Sequence, residues 1–299
     1  GEDKWIVRDR IDVVNSELIF VSGQCEENPL KSDKVLRISP YEPDGVSILP
    51  DSRFCGPVLG LPNRSYFEFY NKSEIKFYDS TGNEYANVKA DFELDRYYTP
   101  AGTDSNSNLY AFDITRNLLH AWNDRGQEAK TINLAPDSKN SQGFVYRQVE
   151  VDSNTNIICA QNGSLITLFD SNGKKLNSFQ TWADPREHPN TQCFNPSVCK
   201  LRIRNGIIYA LLNGNDKECN KATEIQAYTI DGTCIARYLF AIPVLNSPNA
   251  IAVQPDGSCA VGQYGNWTGN NGLIFDSNGS QTAAINNRAG ITQLLKADN

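Results

Sequence analysis

Along this chain, short runs of aromatic and β-branched residues break at a tight polar turn ending in Gly and then resume. Ile166-Thr-Leu-Phe-Asp-Ser-Asn-Gly-Lys-Lys-Leu176 and Gly272-Leu-Ile-Phe-Asp-Ser-Asn-Gly-Ser-Gln281 are two examples. Runs of this length, bounded by Asp, Asn, Ser and Gly, predict β-strands joined in hairpins. The turn glycines are Gly45, Gly82, Gly126, Gly173, Gly232 and Gly279, and they follow one another at 37, 44, 47, 59 and 47 residues. A recurring feature at a period of about 40 to 50 residues marks a repeat protein.

Each turn has a physical reason. Asp or Asn at its start can bond the backbone, and Gly takes the position where φ must be positive. A second hairpin precedes most of these turns, as in Thr103-Asp-Ser-Asn-Ser-Asn-Leu-Tyr-Ala111, Val151-Asp-Ser-Asn-Thr-Asn-Ile-Ile-Cys159 and Ala252-Val-Gln-Pro-Asp-Gly-Ser-Cys-Ala260. Two hairpins per period make a four-stranded antiparallel meander, with strands a to d. The predicted meanders cover residues 11–50, 54–94, 97–134, 145–181, 196–241 and 248–285. No stretch shows sustained helical periodicity with caps, so the chain reads as all-β. One meander cannot bury both of its faces, and packing such blades around an axis completes the core. The expectation is a single β-propeller over residues 1–299 with six four-stranded blades, seven being the alternative. Both ends also look strand-like, at Lys4-Trp-Ile-Val-Arg8 and Ile291-Thr-Gln-Leu-Leu-Lys296, and pairing between the ends would remove exposed edges.

The order of strand, Asp-x-x-Gly-like turn, hydrophobic strand, then Phe-Asp-x-x-Gly and a short strand resembles the NHL-repeat type of six-bladed propeller. The resemblance spans nearly all 299 residues and is clearest at 145–181 and 248–285. In the first blade Tyr41-Glu-Pro-Asp-Gly45 replaces the Phe-Asp form, and Leu59 to Tyr70 lacks the usual first Asp-Gly turn. That family includes enzymes, scaffolds and sensors, so the fold does not choose among them.

Composition adds a setting. Eight cysteines, Cys25, Cys55, Cys159, Cys193, Cys199, Cys219, Cys234 and Cys259, form an even set without CxxC or Cys/His spacing for zinc. They read as disulfide candidates of an oxidised, extracellular protein, secreted or at the cell surface, with the pairing open. Buried thiols are the alternative, above all for Cys159 and Cys259 at equivalent strand-b sites. The sequons at Asn63, Asn71, Asn162, Asn266 and Asn278 are glycosylation candidates in the same setting. The formal net charge of −7 is spread along the chain, which excludes the basic face a nucleic-acid partner would need. No apolar run approaches the ~18 residues of a membrane span.

Chemistry-bearing motifs are few. Asp104-Ser-Asn-Ser-Asn108 and Asp152-Ser-Asn-Thr-Asn156 carry oxygens at alternating positions, as Ca²⁺ prefers, yet a tight hairpin wants the same residues and neither completes an EF-hand loop. No cofactor is expected otherwise. His120 and His188 are the two histidines. His120 alternates with Trp122 in a predicted strand c and reads as a packed residue, whereas His188 lies in a long loop. Lys200, Arg202 and Arg204 alternate with Leu201 and Ile203, the pattern of a strand with one polar side.

In a meander the a–b and c–d turns leave one face, and the b–c and d–a connections leave the other. The second face receives the long segments 23–33, 180–197, 213–221 and 262–271, where a rigid scaffold would display binding residues. Trp182, Arg186, His188, Tyr264 and Trp267 are the candidates there for a protein or glycan partner or for self-association. The expected function is a non-catalytic binding, scaffold or assembly module. The alternative is a metal-dependent lactonase-like or lyase-like propeller enzyme with inner-strand acids such as Asp104, Glu150 and Asp152 in a central channel.

Overall fold

A computed structural model describes residues 5–15, 18–25, 34–40, 46–48, 57–95, 99–134, 146–181, 197–214, 221–239, 248–263 and 270–286. All of its regular elements are β-strands. The chain divides into two compact units, residues 1–156 with 171–173, and residues 157–170 with 174–299.

In the first unit, β1 (Trp5–Asn15), β2 (Leu18–Cys25), β3 (Lys34–Ile38) and β4 (Val46–Ile48) pair in sequence order as an antiparallel meander. β5 (Val58–Gly60), β6 (Tyr66–Phe69), β7 (Glu74–Tyr78) and β8 (Glu84–Lys89) form the next blade. β9 (Pro100–Thr103), β10 (Leu109–Asp113), β11 (Leu118–Trp122) and β12 (Glu128–Asn133) form the third. β13 (Gln148–Val151) lies parallel to β9 through Val151 and Gly102. A Cβ on Gly102 would stand 2.8 Å from the Val151 carbonyl, so this close approach of two inner strands requires glycine. At the amino-terminal end Lys4-Trp-Ile-Val-Arg8 falls largely within β1, which pairs with β2, and 291–296 lies outside the described residues.

The second unit holds β14 (Ile158–Asn162), β15 (Leu165–Phe169) and β16 (Lys175–Gln180), again antiparallel. β17 (Ser197–Arg204), β18 (Ile207–Gly214), β19 (Lys221–Tyr228) and β20 (Cys234–Leu239) follow, then β21 (Pro248–Val253), β22 (Cys259–Gln263), β23 (Asn270–Phe275) and β24 (Gln281–Asn286). The six predicted meanders are therefore observed, with ends shifted by a few residues. The fold is the all-β architecture of a β-propeller.

The core lies between blades, because alternate residues of one strand face opposite neighbours. Phe67, Phe69 and Phe77 of the second blade pack with Leu109, Ala111 and Trp122 of the third, while Tyr66 and Tyr78 turn to Leu18 and Phe20 of the first. In the second unit Ile208, Ala210 and Leu212 meet Ile166 and Leu168, and Tyr209 and Leu211 meet Val261 and Phe275.

The c–d turns share one construction. The amide of the fourth turn residue bonds the carbonyl of the first, as in Gly82 to Asp79 at 3.1 Å, Gly126 to Asn123 at 2.9 Å and Gly279 to Asp276 at 3.0 Å. Strand register slips by one residue beside each turn. This is a type I turn closed by a glycine bulge, and it sets φ of Gly126 at 72° and of Gly173 at 83°. The same glycines also touch the outer strand of the preceding blade. A Cβ on Gly126 would press on Val88 and Ala86 of β8 at 3.2 and 3.3 Å, and one on Gly173 would overlap Ile132 of β12. The periodic glycine thus serves a turn and a blade contact together.

Two sequence expectations are corrected here. Cys159, Cys199, Cys234 and Cys259 carry thiols and form no bridges. Burial pushes the thiols of Cys199 and Cys259 up to about 12, so they act as small apolar groups and poor nucleophiles. Cys159 and Cys259 are also not equivalent, since Cys159 packs with Ile208 and Tyr228 and Cys259 with Tyr209 and Tyr238. The turn before Cys159 closes from Asn156 N to Asp152 O, one residue longer than the Gly257 N to Gln254 O closure before Cys259. One extra residue sends the following strand's side chains to the opposite face. Cys25 ends β2, its side chain outside the described residues, and Cys55, Cys193 and Cys219 lie outside them altogether.

Candidate functional site

Most polar side chains in the turns are spent on holding the turns. Asp79 Oδ1 accepts from Thr81 Oγ1 at 2.7 Å and from the amides of Thr81 and Asn83 at 2.9 Å each. These bonds, the Thr81 hydroxyl foremost, hold its carboxyl down to about 2. Asn123 Oδ1 likewise accepts from the amides of Arg125 and Gln127, both at 3.0 Å. Asn63 Oδ1 accepts from the Ser65 amide at 3.0 Å and hydroxyl at 2.6 Å.

Residues at the turn tips are different. Asp124 and Arg125 sit between the capping Asn123 and Gly126, and their side chains make no hydrogen bond or ion pair among the described residues, nor do the Ser80 and Tyr85 hydroxyls or the Asn63 amide nitrogen. Because Gly126 lets the third blade's turn press directly on β8, these tips meet the outer strand of the second blade. There a shallow groove is lined by Asn63, Ser65, Asp79, Ser80, Tyr85, Asp124 and Arg125. Tyr85 is 47% exposed, and its ring stands edge-on to Phe77 with centroids 6.3 Å apart. Partial burial raises its phenol, and the charges of Asp124 and Asp79 raise it further. The groove therefore offers an oriented aromatic surface ringed by unspent donors and acceptors.

The opposite side of the same blades carries a stacked column. Arg116 binds Asp91 through both terminal nitrogens at 3.0 and 3.1 Å and donates from Nε to Asp113. Its guanidinium lies 5.8 Å from the Phe92 centroid, Phe92 stacks on His120 at 4.7 Å, and His120 stacks on Trp122 at 5.9 Å. His120 Nδ1 lies 3.3 Å from the Thr131 hydroxyl and 3.5 Å from Glu128. His120 is thus the packed strand residue that its alternation predicts, held away from solvent.

The remaining sequence candidates divide cleanly. Asp104 is spent on the amides of Asn106 and Asn108 and on the Tyr110 hydroxyl, and Asp152 on Asn154 and Thr155. Glu150 is buried and accepts from Gln148 Nε2 at 3.0 Å. Among the described residues no three His, Cys, Asp or Glu side chains gather where they could share a metal ion. Arg202 and Arg204 lie half-buried on β17, alternating with buried Leu201 and Ile203. Trp182, Arg186, His188, Tyr264 and Trp267 lie outside the described residues, as does Asn266. Asn63, Asn71 and Asn278 are exposed and Asn162 is half-buried. Sequence reading passed over Tyr85, Asp124 and Arg125. Tyr85 alternates as an outward residue of a strand d, but what meets it belongs to another blade 39 residues further on.

No family model and no curated protein matches the chain. Solved structures do. A catalytically inactive histidine-to-alanine variant of virginiamycin B lyase from Staphylococcus aureus, in complex with quinupristin, matches with a TM-score of 0.59 at 12% identity, covering 96% of this chain and 85% of that one. The WD40 β-propeller domain of Doa1 matches at 0.58 and 11% identity, covering 95% and 83%. A protein of unknown function from Bacteroides caccae matches at 0.56 and 14% identity, covering 91% and 94%. At such identities the likeness is one of fold, and the neighbours' differing descriptions point to no common activity.

Proposed function

We propose that this chain is a non-catalytic binding module, a single propeller domain over residues 1–299 that works outside the cell or at its surface. The observation that carries this reading is the groove at Tyr85. The capping side chains Asp79 and Asn123 are spent on their own turns, while Asp124, Arg125, Ser80 and Tyr85 keep their bonding capacity beside an exposed ring. Such groups are ready to recognise a ligand. The loop residues Trp182, Arg186, His188, Tyr264 and Trp267 form a second proposed contact surface, for a protein or glycan partner or for self-association. The Asp-capped glycine turns support an NHL-like repeat as the finer kinship. Secretion, bridges among Cys25, Cys55, Cys193 and Cys219, and glycans at the exposed sequons belong to the same proposal, and intact mass before and after reduction and deglycosylation checks them.

The experiment is an array of immobilised glycans, peptides and extracellular domains, probed with the wild-type protein and with Tyr85→Ala, Asp124→Ala and Trp182→Ala/Trp267→Ala variants. The expected result is a ligand retained by the wild type and lost by at least one folded variant. An array on which every variant behaves as the wild type defeats the reading. The structural likeness to virginiamycin B lyase favours a second reading, in which the chain is a lyase-like enzyme, metal-dependent as the sequence alternative has it. Cleavage of quinupristin that is lost on chelation would replace the first reading with the second.

A further inference from the structure

From the Tyr85 groove we infer a saccharide-binding site, an inference that rests on the binding reading above and names its ligand class. Three features of the groove choose the class. The first is the ring itself. Tyr85 is half exposed and is held edge-on against Phe77, so part of its ring is left to solvent as an apolar surface of the kind that the C–H face of a pyranose covers.

The second is the balance of hydrogen-bonding types. Asp124 only accepts, Arg125 only donates, and the Ser80 and Tyr85 hydroxyls do both. A ligand that satisfies all of them must donate and accept around its whole rim, as a ring of hydroxyl groups does. The third is charge. Asp79 and Asp124 oppose an anion such as phosphate, and Arg125 opposes an organic cation over the ring. A neutral polyol is opposed by neither sign. The groove is also open and shallow, which suits one face of an extended chain of sugars.

The site is built by packing rather than by a single loop. Asn63 and Ser65 come from the a–b turn of the second blade, Asp79 and Ser80 from its c–d turn, Tyr85 from β8, and Asp124 and Arg125 from the third blade's turn. Gly126 is the pivot of this arrangement: its φ of 72° favours glycine, and a Cβ there would press on Val88 and Ala86 of β8.

Backbone amide NMR of Asp124, Arg125 and Gly126 tests the inference on the full chain made in a bacterial host, so that Asn63 carries no glycan of its own. The probes are chitohexaose, cellohexaose, maltohexaose and xylohexaose at about 5 mM, a concentration that reveals millimolar affinity. Tetramethylammonium and inorganic phosphate serve as charged probes. At least one saccharide is expected to shift these amides saturably. Tyr85→Ala should weaken that binding at least about tenfold, and Tyr85→Phe, which keeps the ring, no more than about threefold. No shift with any of the four saccharides, shifts with a charged probe alone, or undiminished binding by Tyr85→Ala overturns the inference. If the array yields a Tyr85-dependent ligand that is not a saccharide, the binding reading stands and the saccharide site falls. If nothing on the array depends on Tyr85, the site falls whatever the loop variants show.

Discussion

Two glutamates, one in each compact unit, are equally buried and are treated in opposite ways. Glu224 of β19 is 1% exposed and lies against Arg237 of the neighbouring β20, whose Nε donates to Oε2 at 2.8 Å and whose terminal nitrogen is 2.6 Å away. Its other oxygen accepts from Gln226 Nε2 at 2.7 Å, and Tyr228 donates in turn to Gln226. Glu68 of β6 is fully buried, but its Oε2 accepts only the Tyr78 hydroxyl at 2.9 Å, and Oε1 has no hydrogen-bond partner. Burial pushes its carboxyl up to about 7, against the opposing pull of Tyr78 and Lys76. Lys76 on the facing strand is committed to Glu84 at 2.8 Å. The lesson is that burial does not settle how well a carboxylate is satisfied. The supply of donors from the next strand does, with an arginine fork in one blade and a single phenol in the other.

The contrast can be broken at several points, and the largest effect is expected at the ion pair. Arg237→Ala strands a buried carboxylate and should cost about 3–5 kcal/mol, measured by urea unfolding at pH 7. A loss near zero would mean that Gln226 alone suffices for Glu224. Next is the pH dependence carried by Glu68. Its folded value lies above the 4.5 of an ordinary Glu, so between about 4.5 and 7 the native state holds a proton that the unfolded chain has released. The stabilisation is complete below 4.5 and is lost as pH rises through 7, by about 3 kcal/mol in all. Glu68→Gln should remove this slope and exceed the wild type in stability at pH 8. An unchanged slope would place its origin elsewhere.

A smaller effect is expected for Tyr78→Phe, which removes the one donor to Glu68. It should cost about 1 kcal/mol at pH 5 and more at pH 8, where the carboxylate is charged, and should move the Glu68 transition to higher pH. The smallest belongs to the solvent-facing pair. Arg116 and Asp91 have the geometry of a strong pair, two bonds at 3.0 and 3.1 Å, but Asp91 is 71% exposed. Asp91→Ala, which leaves Arg116 its bond to the buried Asp113, should therefore cost less than any change above, and less still in high salt. A loss as large as that at Arg237 would mean that donor geometry outweighs burial.

Much of the fold was legible in the sequence because its grammar is local. A Gly at the bulge of a type I turn, with Asp or Asn at the turn's first position, needs only five adjacent residues to make sense, and strand alternation needs only the next four or five. That is enough to place six meanders, to mark His120 as packed and to put one polar side on β17. The candidate site was not legible in the same way. Tyr85 reads as any outward residue of an outer strand, and Asp124 and Arg125 read as turn tips. Their meeting depends on how one blade's turn seats on the preceding blade's last strand.

The cysteines make the same division. Their even number pointed to bridges, yet which face a strand-b cysteine takes follows from whether the preceding turn closes over four residues or five. That geometry sends Cys159 and Cys259 into two different cores. The fates of Glu68 and Glu224 were likewise hidden, since each appears in the sequence only as a charged residue among apolar ones. Turn chemistry and alternation act between neighbours in the chain and so are written in its order. Charge state, thiol burial and the groove are set by side chains that come from other strands and blades, and only the packing of those blades brings them within reach.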